Sequence, residues 1–111
     1  MATRDVYLVE GKRTPQVKSG AEIKDVAAPF LGVYLVRSIL DQQGIPNDRI
    51  DEVIIGNTGN PPKYPNIGRV IALLAGLDKK TSGYSVHRNC ASGMEAMSQA
   101  FIKILSGRSD I

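Results

Sequence analysis

The chain has 111 residues, 42% of them hydrophobic, with 14 basic side chains against 11 acidic ones. That describes one globular domain and excludes a chain disordered throughout; no apolar run approaches the roughly 20 residues of a membrane helix, and the polar start from Met1 to Asp5 does not read as a secretory signal. A single cysteine excludes an internal disulfide, no cluster has metal-ligand spacing, and a net charge of +3 scattered among two Phe and four Tyr leaves no nucleic-acid footprint.

The expectations are therefore a cytoplasmic protein with no metal, no nucleic-acid partner and no membrane. The mild positive excess suits a phosphate-bearing ligand and equally suits plain solubility.

Short β-branched runs alternate with helical patterns, the signature of βαβ units. Val6, Tyr7, Leu8 and Val9 predict a first strand, ended by Gly11. Residues 11–28 read as a polar loop, with turns at Arg13-Thr14-Pro15 and Ser19-Gly20. Pro29 opens a helix in which Phe30, Leu31, Val33, Tyr34, Leu35, Val36, Ile39 and Leu40 surround most of the circumference, which predicts burial on more than one side. Gly44 supplies a left-handed cap and Pro46 stops the helix.

Residues 50–55 predict a second strand around Val53, Ile54 and Ile55. Residues 56–62 must be a loop. Asn66 is a good helix N-cap, and Ile67, Val70, Ile71 and Leu74 follow at i, i+3, i+4 and i+7. Gly76 ends that helix. Residues 83–87 predict a third strand, which runs into Arg88-Asn89-Cys90-Ala91-Ser92-Gly93. A third helix carries Met94, Met97, Phe101, Ile104 and Leu105 near one face and closes at Gly107. Ser109, Asp110 and Ile111 look like the start of a fourth strand. The fold class is thus α/β, a βαβαβα order with an incomplete sheet and an open outer edge.

Cys90 lies at a strand-to-helix junction. N–H groups at a helix start have no intrahelical partner, and the dipole there is positive, which stabilises a thiolate and a developing oxyanion. Ser92 and Gly93 are small and let a substrate approach the sulfur. These features suggest an acyl-accepting nucleophile; a buried structural cysteine is the alternative. His87, the single histidine, lies three residues earlier, and side-chain alternation turns it to the opposite face, so it reads as a strand or packing residue rather than as the base. The loop Gly56-Asn57-Thr58-Gly59-Asn60 is not a dinucleotide-binding pattern. Arg13 can bind an anion or simply be solvated, Arg69 can anchor a loop or lie on the surface, and Met94 and Met97 read as core.

At these residues the sequence resembles the thiolase family, the acetyl-CoA C-acyltransferases. VYLVEGKRTP (residues 6–15) is similar to the family's first strand and Arg-Thr-Pro turn, and Ser19-Gly20 with Lys24-Asp25 to the loop after it. Residues 51–57 (DEVIIGN) resemble its second strand, Asn66-Ile67-Gly68-Arg69 the start of its second helix, and VHRNCASGMEA (residues 86–96) its active-site segment. The resemblance covers nearly the whole chain in order. His87 departs from the family's usual Asn, Ser or Thr at that position.

The resemblance implies a layered α/β/α fold, with residues 1–111 as the nucleophile-bearing part of an N-terminal domain. It implies Cys90 as the acylated cysteine in a ping-pong reaction on coenzyme A thioesters, either thiolysis of a 3-oxoacyl-CoA or condensation of acetyl-CoA, within fatty-acid metabolism. No covalently bound cofactor is implied, and no coenzyme A-binding residue is assigned. The full-length protein is expected to be a homodimer or tetramer. The family's activating histidine and second cysteine lie in a second half without counterpart here, so the chain alone is expected to be inactive. The competing readings are a ketoacyl-synthase-like condensing enzyme acting on carrier-protein thioesters, and a non-catalytic fragment that self-associates through an open sheet edge at Tyr84-Ser85-Val86.

Overall fold

A computed structural model describes residues 4–59 and 61–111. Met1, Ala2 and Thr3 of the polar start, and Asn60 of the predicted 56–62 loop, lie outside the described residues. The elements in order are helix α1 (Ala28–Gln43), a short 3-10 turn (Asn47–Arg49), strand β1 (Glu52–Gly56), helix α2 (Ile67–Leu74), strand β2 (Ser82–Val86) and helix α3 (Ser92–Leu105).

β1 and β2 pair in parallel, with Glu52 opposite Ser82 and Gly56 opposite Val86. Parallel neighbours need a crossover, and α2 provides it. Alternation along the strands then assigns the two faces. Val53 and Ile55 join the core under α1 and α2, and Ser85 Oγ accepts the Gly68 N–H at 3.1 Å on the same side. Glu52 and Tyr84 point the other way, to Lys103 of α3. The result is three layers, with α1 and α2 on one face and α3 on the other.

The main core lies on the α2 side. Ile67, Ile71, Ala72, Ala75 and Leu77 bury against Leu40, Ile50 and Val53. Asn66 caps α2 as expected, its Oδ1 accepting from Arg69 N at 3.3 Å and its Nδ2 donating to Gly83 O at 3.0 Å. Gly44 ends α1 at φ 66°, where a side chain would be strained, and its N–H bonds back to Leu40 O. Arg69 resolves to a loop anchor, donating to Thr81 O at 2.5 Å and Lys79 O at 3.2 Å.

Several expectations fail. Val6 to Val9 form no strand: Tyr7, Leu8 and Val9 are exposed. An apolar run becomes a strand only where a neighbouring backbone takes its N–H and C=O groups. Here residues 4–8 run beside α3 instead, with Arg4 N donating to Leu105 O at 3.3 Å and Val6, Tyr7 and Leu8 sharing a shallow hollow with Phe101 and Ile104. The turn at Ser19-Gly20 forms, with Ala21 N donating to Lys18 O at 3.1 Å, whereas Arg13-Thr14-Pro15 is irregular chain.

α1 is not buried all round. Only Pro29 and Leu40 are buried, while Phe30 and Tyr34 stand 54% and 69% exposed, because α1 is an outer helix that meets α2 along one side. Met94 and Met97 are likewise exposed rather than core. Two strands stand about 4.8 Å apart, whereas a helix with its side chains is roughly 10–12 Å across, so this sheet is too narrow to cover the apolar stripe of α3. The strand bounds shift to Glu52–Gly56 and Ser82–Val86, which leaves His87 outside β2 and exposed, neither strand nor packing residue. Ser109, Asp110 and Ile111 are not assigned to a strand, yet Ile111 O accepts from Asp51 N (2.9 Å) and Glu52 N (3.4 Å) beside the start of β1.

Candidate active site

The segment between β2 and α3 turns abruptly. Asn89 is the one non-glycine among the described residues with positive φ, at 48°. Asn tolerates that region better than most residues, and Cys90 follows immediately. The Cys90 side chain is free and exposed, one residue before the cap of α3. Within this chain the thiol is not buried, as the structural-cysteine alternative would have it.

The elbow is held from within. Ala91 N donates to Arg88 O at 3.0 Å and Ser92 N to Asn89 O at 3.2 Å. The Ser92 hydroxyl accepts from Arg88 N at 2.8 Å and donates to Asn89 O at 2.7 Å. Ser92 is 4% exposed, so its smallness serves packing and not, as expected, the approach of a substrate. Gly93 has open space around its Cα.

The elbow is also held from behind. A Cβ on Gly56, the last residue of β1, would stand 2.5 Å from Ser92 O and 2.6 Å from Gly93 N. The end of the strand thus touches the backbone of the first turn of α3, which only glycine permits. Turn composition put Gly56 in a loop and the resemblance put it in the second strand, where it lies, but neither foresaw this contact.

His87 Nδ1 accepts the Asn89 N–H at 3.3 Å, and among the described residues no hydrogen bond ties His87 to Cys90. Arg88 reaches forward along α3 to Glu95 at 2.5 Å, and Gln99 Nε2 reaches back to the same carboxylate at 2.9 Å. The Gln99 amide, with Arg88 beside it, holds the Glu95 carboxyl below its ordinary pKa. Arg13 turns onto its own chain, donating to Thr14 O at 3.1 Å. No group of three or more His, Cys, Asp or Glu capable of holding a metal occurs among the described residues.

Below the elbow a groove of about 350 Å³ opens between β1 and α3, lined by Ile54, Gly56, Gly93, Ala96, Met97 and Lys103 among others. Lys103 Nζ donates to both oxygens of Glu52, at 2.7 and 2.6 Å, and stands 4.6 Å from the centre of the Tyr84 ring. This charged pair had no sequence signal, because Glu52 and Lys103 are 51 residues apart.

The family model for the thiolase N-terminal domain matches residues 6–111. The chain belongs to the thiolase family. It is 35% identical over 106 residues to the 3-ketoacyl-CoA thiolase of Yersinia pestis (strain Pestoides F), an alignment that takes in 96% of this chain and 24% of that relative. The enzyme of the same name from Yersinia pseudotuberculosis (serotype O:1b, strain IP 31758) matches equally.

Among solved structures, the Bacillus anthracis acetyl-CoA acetyltransferase superposes with a TM-score of 0.79 at 32% identity, over 82% of this chain and 23% of that one. The Acat5 thiolase from Ascaris suum, in complex with coenzyme A, gives 0.78 at 22% identity over 82% of this chain and 24% of that one, a likeness of fold. This thiolase chain spans about a quarter of the length of the curated relatives it matches.

Proposed function

We propose that Cys90 is the nucleophile of a thiolase reaction, acylated by coenzyme A thioesters. The observation that carries this reading is the exposed thiol on a left-handed elbow at the start of α3, in a chain of this family.

In condensation, the thiolate adds to the carbonyl carbon of acetyl-CoA. The bond from that carbon to the coenzyme A sulfur breaks, and coenzyme A leaves as a thiol after taking a proton. A second acetyl-CoA, deprotonated at its methyl carbon, attacks the acyl-cysteine and returns the Cys90 sulfur as thiolate. In thiolysis, the thiolate adds to the 3-keto carbon of a 3-oxoacyl-CoA. The bond between carbons 2 and 3 breaks, carbon 2 takes a proton, and acetyl-CoA departs. The thiol of free coenzyme A then takes the acyl group from Cys90 and gives up its proton. In each direction an oxyanion develops beside the helix start, where N–H dipoles stabilise it without reorganisation.

Every step needs a proton carrier. His87 Nδ1 is already engaged by the Asn89 N–H. The chain alone is accordingly proposed to turn over little or not at all, the activating base and the second thiol being supplied from elsewhere in the whole protein.

The test is intact and peptide mass after incubation of the whole protein with acetyl-CoA. One acetyl group on Cys90 is expected, and Cys90→Ala should abolish both the adduct and turnover while leaving the melting temperature in place. Acetyl transfer that survives in Cys90→Ala would end the assignment.

A further inference from the structure

We propose that Ser92 is a positioning residue for the Cys90 thiol, holding the elbow in its left-handed turn by a hydroxyl that bonds to both residues preceding the cysteine. The inference rests on the reading of Cys90 as the acylated nucleophile. Ser92 is buried, and its single hydroxyl is used twice, accepting from Arg88 N at 2.8 Å and donating to Asn89 O at 2.7 Å. A serine hydroxyl that donates to the carbonyl three residues back is a common local bond, and here the same oxygen also accepts from the N–H four residues back. The side chain looks backwards, out of the helix and onto the segment that carries the nucleophile.

The geometry it secures is an unfavourable one. Asn89 sits at φ 48°, a region that Asn enters more readily than other side chains but that still costs free energy, so bonds on either side of it help to hold it there. The backbone bonds Ala91 N to Arg88 O and Ser92 N to Asn89 O close the turn from one side. The hydroxyl closes it from the other, by engaging the Arg88 N–H. Ser92 is itself fixed, because its backbone rests against Gly56 at the end of β1. A chain of contacts therefore runs from the sheet through Ser92 to Asn89 and sets where the Cys90 sulfur lies relative to the start of α3. Reactive groups lose rate steeply when such support slackens.

Ser92→Thr keeps the hydroxyl, and Ser92→Val has the same shape without it. In the whole protein, peptide mapping would follow two rates at Cys90: alkylation by iodoacetamide and acetylation by acetyl-CoA. Ser92→Val and Ser92→Ala should slow both by about tenfold or more, with kcat falling and KM little changed, while Ser92→Thr stays within about threefold of the parent. Melting temperatures identify any variant that fails to fold, and the Thr–Val comparison then decides in place of Ala. Equal rates in Thr and Val overturn the proposal, as does a loss that tracks melting temperature across all three variants. If the parent shows no acetyl adduct at Cys90, the nucleophile reading fails, whereas the alkylation comparison still reports whether Ser92 sets the reactivity of this thiol.

Discussion

The two faces of the sheet solve the same packing problem differently. On one face α2 buries Ile67, Ile71 and Ala72, with α1 closing over them. On the other, α3 meets the strands through Ser92 and Ala96, and leaves Met94, Met97, Phe101 and Ile102 exposed. The first face is a core, and it fixes the strands. The second carries the elbow, the groove and the Glu52–Lys103 pair. Stability is concentrated on the face away from the cysteine, so the cysteine face is the one free to hold strained backbone.

Ile71→Ala tests that division most severely. Ile71 is 1% exposed at the centre of the core, so its truncation should cost about 2–5 kcal/mol. Phe101→Ala removes a larger side chain from the other face, where it is half exposed, and should cost less than about 1 kcal/mol. Denaturant unfolding of the two variants reads the difference. Equal losses would mean that both helices contribute alike and that the contrast is only one of exposure.

Gly56→Ala probes the point where the two faces join through the elbow. The added Cβ meets backbone of Ser92 and Gly93, which cannot rotate away as a side chain could, and a loss of about 1–3 kcal/mol is expected. Gly93→Ala, one residue further into α3 with open space at its Cα, should be close to neutral. A neutral Gly56→Ala would show that α3 slides on the sheet without cost and that the strand end does not seat the elbow.

The same contrast decides what was legible in the sequence. The α2 face was read well because its information is local. The Asn66 cap, the spacing from Ile67 to Leu74 and the left-handed glycine at 44 each act within a turn or two of themselves. Periodicity reports which residues are apolar, but not whether a surface wide enough to cover them exists, so Phe30, Tyr34, Met94 and Met97 were misplaced. The strand expected at residues 6–9 failed for a related reason, since β-branched composition supplies no hydrogen-bonding neighbour. At the site, the helix-start position of Cys90 was legible from Gly93 and the pattern after it. The left-handed Asn89, the inward Ser92 and the Gly56 contact were not, because each depends on a backbone path or on a contact between residues far apart in the chain. Asn89 did carry a faint signal, as the residue type most tolerant of that conformation after glycine.

Asn66→Ala sharpens the account of the well-packed face. Asn66 does more than cap α2: it ties the helix start to Gly83 O and accepts from Ser85 Oγ at 3.3 Å. A cap alone is worth about 0.5–2 kcal/mol. Asn66→Asp keeps the acceptor for Arg69 N but loses the donor to Gly83 O, so comparing the two substitutions by thermal melting separates capping from the tie to β2. If Asp restores full stability, capping accounts for everything.

The smallest effect concerns the charged pair on the α3 face. The hydrogen bonds from Lys103 to Glu52 raise the ammonium above its ordinary pKa of 10.5. A cation whose pKa is raised on folding contributes stability that is fully present below the unfolded value and is lost as pH rises through the folded one. The loss therefore begins above about pH 10.5, not in acid. Both side chains are about one-sixth exposed, so the pair lies between a surface bridge and a buried one, and about 1 kcal/mol is a fair expectation. Asp51 behaves in the opposite sense. The N–H groups of Asp110 and Ile111 hold its carboxyl below 3.8, so its contribution is present above that value and fades as pH falls through the lowered one. Melting temperature measured from pH 2 to 12 should fall at both ends, and Lys103→Met should flatten the alkaline limb. An alkaline limb unchanged in Lys103→Met would show that the pair does not carry that loss, and would leave α3 held to the sheet by its small residues and the Gly56 contact.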